Sequence, residues 1–157
     1  QIDAFSRQSS RTTHGAQEAI ECCVVLARAI SNALNGATKD ALLSVSCAGL
    51  CAPQVVAIAQ GEYCNKTRAQ INGTGYAVAS LEAALWCVLQ TGNFADAVLA
   101  AANLGDDADT TAAIVGQLAG AHYGVQGIPQ GWLEKLCMRN DIEDMADALL
   151  KSAAENN

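Results

Sequence analysis

The chain has 157 residues, with 9 Lys+Arg against 16 Asp+Glu and a formal net charge of −7; this acidic balance excludes the basic footprint of a nucleic-acid binder. Charged residues make up 16 % and hydrophobic residues 51 %, with a mean hydropathy of +0.16, which excludes intrinsic disorder. Two prolines and 4 % aromatics in an alanine-rich chain point to an all-α fold, and the length to a single domain, residues 1–157, with a sizeable core.

From about Gly15 to Asn35, Ala16, Ala19, Ile20, Cys23, Val24, Ala27, Ile30 and Leu34 form the i, i+3, i+4, i+7 stripe of an amphipathic helix, stopped at Gly36. Thr38 is placed to cap a second helix from Lys39 to Leu50. Pro53 opens a third, to about Gln60, at the first helical position where its missing N–H is harmless. Asn72-Gly73-Thr74-Gly75 reads as a loop. Val78 to Gln90 is a strongly apolar helix ending at Thr91-Gly92. Asn93 caps the next, with Asp96 favoured in its first turn by the helix dipole. That helix stops at Gly105, and another runs from around Asp109 to Tyr123. Its Gly116, Gly120 and Gly124 are expected to form a flat strip for close helix packing. Two last helices start near Pro129 and Asp141. The expected architecture is a compact all-α array of seven or eight helices.

The cysteines, Cys22, Cys23, Cys47, Cys51, Cys64, Cys87 and Cys137, include no CxxC and no His at zinc-finger spacing. They read as reduced thiols packed on apolar helix faces of a cytoplasmic protein rather than as a disulfide framework. Residues 41–61 carry no charge and are long enough to span a membrane. Ser44, Ser46, Pro53, Gln54 and Gln60 interrupt the run, however, and no signal-peptide pattern opens the chain. Two buried helices with a break, and no membrane, are expected. The first residue is Gln, so the sequence is expected to be trimmed or a piece of something longer.

Chemistry concentrates at Gly105-Asp106-Asp107-Ala108-Asp109-Thr110-Thr111, where three carboxylates fall within four residues. Residues two apart on a helix point about 200° from each other, so Asp107 and Asp109 converge only in an irregular turn before the helix. Two readings of the spacing stand open. In one, Asp107, Asp109 and the Thr110 hydroxyl present hard oxygens to Mg²⁺ or Mn²⁺; in the other they cap the free N–H groups of the helix. An EF-hand fails, because position 6 from Asp107 is Ala112 and position 12 is Leu118.

The segment Ala102-Asn103-Leu104-Gly105-Asp106-Asp107-Ala108-Asp109-Thr110-Thr111, continuing to Gly124, resembles the ADP-ribosylglycohydrolase family, which includes the dinitrogenase-reductase-activating glycohydrolases. Gly75-Tyr76-Ala77-Val78-Ala79-Ser80-Leu81-Glu82-Ala83-Ala84-Leu85-Trp86 resembles the family's GYV-xx-LEAALW segment, and Ser10-Arg11-Thr12-Thr13-His14-Gly15 its S-x-x-TH turn. The resemblance implies an all-α hydrolase with a binuclear Mg²⁺ or Mn²⁺ centre that removes ADP-ribose from a modified arginine or related acceptor. It implies Asp107, Asp109 and Thr110 as metal ligands and His14, Gly75 and Tyr76 as contacts to ADP-ribose. Asp106 stands where many members have Gly. Glu82, Trp86 and Trp132 are expected to be structural, and His122 packed. The bland alternatives are a His14 held by a backbone carbonyl and a Tyr76 in the core.

The family's second acidic cluster, threonine/serine-aspartate-aspartate, has no match here, and Asp141, Glu143, Asp144 and Asp147 do not replace it. The catalytic acid is therefore unassigned. The chain is expected to correspond to about the C-terminal half of the family domain, to carry half of the metal site, and to turn over little alone. A missing N-terminal segment or a second copy is expected to cover apolar surface, unless alanine merely inflates the hydropathy. The alternative function is a non-catalytic ADP-ribose-binding or structural, interaction protein that kept the fold.

Overall fold

The computed structural model describes residues 1–155. Nine α-helices and three short 3-10 turns, with no strand, occur among them, confirming the all-α class. Their contacts divide them into a unit over Gln1–Gly127 and a second unit beginning at Ile128.

In the first unit, α1 (Ile2–Arg11) precedes α2 (Gln17–Leu34) and was not legible as a helix. It is tied down by polar links, not by an apolar stripe. Asp3 pairs with Arg28 of α2 at 2.5 Å, and Arg7 donates to the Gly49 carbonyl at 2.8 Å. Helix α3 (Lys39–Leu43) is shorter than the expected run to Leu50. The Ser44 hydroxyl turns back to the Asp40 carbonyl at 2.9 Å, and Arg28 draws the Ser46 and Ala48 carbonyls to itself. Helices α4 (Pro53–Ala59), α5 (Ala77–Gln90), α6 (Phe94–Ala102) and α7 (Ala108–Tyr123) start within one residue of their expected positions. Asn93 caps α6 by accepting from the Asp96 N–H at 2.8 Å.

Val24, Val25 and Ala29 of α2, Ala83 to Val88 of α5, and Val115, Leu118 and Ala119 of α7 build the core. The glycine strip of α7 does not take a close helix backbone. A Cβ on Gly116 would meet nothing within 4 Å, and one on Gly120 would sit 3.9 Å from the Phe94 ring. Of the cysteines only Cys22 and Cys87 are buried; Cys23, Cys51, Cys64 and Cys137 are exposed, which corrects the expectation that most are packed. No helix among the described residues is long and apolar enough to cross a membrane.

The second unit holds α8 (Gln130–Leu133) and α9 (Arg139–Glu155). The side chains of Ile142, Met145, Leu149 and Leu150 on α9 are all more than half exposed. Trp132, expected to be structural, is 38 % exposed.

Candidate active-site cleft

Three motifs far apart in sequence meet at one cleft of about 530 Å³ in the first unit. Its lining includes His14 from the α1–α2 connection, Gly75 and Tyr76 from the loop before α5, and Thr110 from the start of α7. Four of the six anticipated site residues thus share one surface. Asp107 lies beside it: a Cβ on Gly75 would stand 3.1 Å from Asp107 Oδ2. Asp109 is exposed and outside the lining.

The S-x-x-TH turn is closed by Ser10. Its buried hydroxyl donates to the His14 carbonyl at 3.1 Å, and the His14 N–H donates back to the Ser10 carbonyl at 2.7 Å. The His14 ring is exposed and pairs through Nδ1 with the Thr13 hydroxyl at 3.0 Å, so the backbone-carbonyl alternative does not hold.

Helix α7 begins at Ala108, one residue earlier than expected, so Asp107 is the N-cap while Asp109 and Thr110 lie in the first turn. The two aspartates therefore do not share an irregular turn. The Asp107 carboxylate accepts no cap hydrogen bond from α7; its Oδ1 takes the Thr110 hydroxyl proton at 2.8 Å. The capping alternative is thus not realised by Asp107. What the turn offers is hard oxygen: two carboxylates and a hydroxyl that directs its proton to Asp107 Oδ1.

The loop before α5 is held by groups that sequence reasoning missed. The Asp107 N–H donates to the Gly73 carbonyl at 2.8 Å. Arg68 clasps the Asn103 and Leu104 carbonyls at the end of α6 together with that of Ile71. The Ser80 hydroxyl donates to the Thr74 carbonyl at 2.6 Å. Tyr76 is 48 % exposed and not a core aromatic. Its hydroxyl sits 2.7 Å from Glu18 Oε2. Glu82 and Trp86 are structural: the first pairs with Lys66 at 2.6 Å and the second donates to the Lys66 carbonyl. His122 is half-buried against the Tyr123 ring.

Glu21 was also missed. It is fully buried one turn into α2 and accepts from the Cys51 and Ala52 N–H groups ahead of α4. Burial alone would raise its pKa, but the Ala52 N–H, Gln17 and the Cys51 N–H together hold it below the ordinary value. Its isolated position in an apolar stretch gave no local signal of partners thirty residues away.

An acidic helix start, a glycine loop and a TH turn thus stand around one largely apolar cleft in an all-α fold. A family model described as ADP-ribosylglycohydrolase matches residues 1–157. The chain belongs to the ADP-ribosylglycohydrolase family. It is 48 % identical over 93 % of its length to ADP-ribosylarginine hydrolase Tri1 of Pseudomonas putida (strain GB-1), covering 39 % of that protein. It is 42 % identical over 97 % of its length to ADP-ribosylarginine hydrolase Tri1 of Serratia proteamaculans (strain 568), covering 41 % of it. A solved chain of an ADP-ribosylglycohydrolase-related protein complex superposes with a TM-score of 0.86 at 41 % identity, over 95 % of this chain and 52 % of that one. The chain thus spans about two fifths of the curated relatives it matches.

Proposed function

We propose that the chain supplies the ADP-ribose cleft and part of the metal site of a hydrolase that removes ADP-ribose from arginine in the cytoplasm. One observation carries this reading: residues at the starts of α2, α5 and α7 (Ala16 and Glu18, Tyr76 and Ala77, Thr110) all line the same cleft, and no Lys or Arg does. Helix starts carry unsatisfied N–H groups and partial positive charge. Three of them can answer a diphosphate where no basic side chain is present. The relatives' names as ADP-ribosylarginine hydrolases support arginine as the acceptor.

The donor set at the start of α7 fits Mg²⁺ or Mn²⁺, because Asp107 gives no lone pair to the helix amides and Thr110 turns its proton to Asp107. Asp107, Asp109 and Thr110 would hold the metal. Each Mg²⁺ takes about six oxygens, so these residues are one side of a binuclear centre, completed by ligands from another segment or chain. When bound, such ions polarise the substrate oxygens and lower the pKa of a bound water. His14 and the Gly75-Tyr76 loop orient the ADP-ribose, and the apolar wall of Cys22, Leu26, Leu81 and Ile114 keeps water from it.

The second reading, a non-catalytic ADP-ribose-binding module, is favoured by one observation. No group of three or more His, Cys, Asp or Glu able to hold a metal occurs among the described residues. Calorimetric titration with ADP-ribose, with and without Mn²⁺, tests both readings on the wild type and on Asp107→Asn/Asp109→Asn. The hydrolase reading expects Mn²⁺ to tighten ADP-ribose binding in the wild type only. Binding indifferent to Mn²⁺ favours the module, and no binding at millimolar concentration removes both.

A further inference from the structure

The Tyr76 hydroxyl joins three segments that lie far apart in the chain. It stands 2.7 Å from Glu18 Oε2 in the first turn of α2 and 2.9 Å from Gln54 Oε1 in the first turn of α4, while Tyr76 itself is the N-cap of α5. A phenol has one proton to give. Both neighbours present acceptor oxygens, and the shorter contact, to the Glu18 carboxylate, is the charge-assisted and stronger one, with Gln54 Oε1 the second acceptor beside it.

Packing covers only part of this ring, since Tyr76 is 48 % exposed. Its position matters because two clefts meet at it. The 530 Å³ cleft lies on one side. On the other is a cleft of about 310 Å³ whose lining includes Gln54, Glu62, Lys66 and Glu82. Tyr76 is the only residue common to both linings. The first cleft has an apolar wall and helix starts, and the second has charged walls, so the ring partitions two unlike environments.

We propose that Glu18 and Gln54 are positioning residues for ligand binding: they clasp the Tyr76 hydroxyl and thereby fix the ring as the wall that closes the ADP-ribose cleft off from the charged cleft beside it. This rests on the ADP-ribose reading above. An exposed tyrosine without the clasp turns among its rotamers and must be ordered again on each binding event, which weakens affinity. A clasp that only stapled α2 to α4 would act on stability and leave affinity alone. The two roles separate by measurement.

The experiment is ADP-ribose titration of the intact chain as wild type, Tyr76→Phe, Glu18→Ala, Glu18→Gln, Gln54→Ala and the double variant Glu18→Ala/Tyr76→Phe, each with its thermal midpoint. Tyr76→Phe and Glu18→Ala are each expected to weaken binding about tenfold, the scale of one lost charged hydrogen bond. The double variant should be no weaker than either single one, because both remove the same contact. Glu18→Gln keeps an acceptor oxygen and should recover affinity to within about threefold, and Gln54→Ala should weaken it about threefold. An alkaline titration of tyrosinate absorbance, with Tyr76→Phe identifying the Tyr76 step, adds a readout that needs no ligand. The Glu18 hydrogen bond raises the Tyr76 pKa, so that step should move to lower pH in Glu18→Ala. Additive losses in the double variant, wild-type affinity in Glu18→Ala, or an unmoved tyrosinate step overturns the clasp while leaving the ADP-ribose reading intact. A wild type that binds no ADP-ribose overturns that reading and this proposal with it, and the tyrosinate step still reports whether the hydrogen bond forms.

Discussion

The Asp107 N–H donates to the Gly73 carbonyl at 2.8 Å, and this bond docks the loop before α5 onto the turn before α7. The approach is too close for a side chain. A Cβ on Gly73 would stand 3.1 Å from Leu104 Cβ, 3.3 Å from the Gly105 carbonyl oxygen and 3.3 Å from Thr111 Oγ1. Gly73→Ala must push the loop away, at about 1–3 kcal/mol for overpacking a buried contact. A thermal midpoint lowered by several degrees together with weaker ADP-ribose binding is expected. An unchanged midpoint would show that the loop does not need this docking.

Next to that contact, Gly105 and Asp106 both sit at positive φ, +85° and +51°. This left-handed geometry lifts the chain out of α6 and aims Asp107 at the loop. Aspartate tolerates it and alanine does not, so Asp106→Ala should cost about 1 kcal/mol. Asp106→Gly should stay within about 0.5 kcal/mol, its relief of strain offset by a freer unfolded chain. Neither variant is expected to change Mn²⁺ affinity, because Asp106 serves the backbone. A Mn²⁺ loss in Asp106→Gly, seen by titration, would make it a ligand.

The apolar period of α2, α5 and α7 made those helices legible in the sequence, and the Asp-x-Asp-Thr, Gly-Tyr and Ser-x-x-Thr-His spacings named four residues that the cleft gathers, His14, Gly75, Tyr76 and Thr110. The parts that were not legible share one cause: they are fixed by polar bonds over long sequence distances, which periodicity does not register. Asp3 and Arg7 hold α1 in this way, Arg68 ties the end of α6 to the loop, and Glu18 reaches Tyr76. The turn at Asp107 was misplaced for a different reason. Ala108 after an aspartate continues a helix as readily as it starts one, so the boundary moved by one residue and separated Asp109 from Asp107.

Glu21 predicts a pH dependence. Its carboxylate is held below the ordinary value in the folded chain, burial being outweighed by the Ala52 N–H, Gln17 and the Cys51 N–H. Asp3 is lowered as well, chiefly by its hydrogen bond to Arg28. For groups lowered on folding, stability is fully present above the unfolded pKa, near 4, and is lost as pH falls through the folded value. Unfolding by urea should therefore need less denaturant as pH drops from about 5 towards 3. Glu21→Gln should flatten part of that slope, and Glu21→Ala should cost about 3 kcal/mol at neutral pH by orphaning two N–H groups. A slope unchanged in Glu21→Gln would assign the acid sensitivity to other carboxylates.

The cysteines give a map of the cleft that needs no assay of turnover. Cys22 and Cys23 are adjacent in sequence, yet α2 turns the first into the core and leaves the second exposed, and both border the cleft. Burial pushes the Cys22 thiol up to about 12 and Cys87 to about 11; a thiol held protonated in this way is a poor nucleophile. A maleimide at neutral pH should therefore label Cys23, Cys51, Cys64 and Cys137 and reach Cys22 and Cys87 only after unfolding. ADP-ribose bound where we place it covers Cys23 alone among the exposed four, since Cys51, Cys64 and Cys137 lie outside the cleft lining. Labelling followed by peptide mass spectrometry should show Cys23 slowed at least about fivefold by saturating ADP-ribose, as expected when one face of the thiol is occluded. Equal slowing at Cys64 and Cys137 would point to a change throughout the chain, and unslowed Cys23 would move the ligand off this cleft.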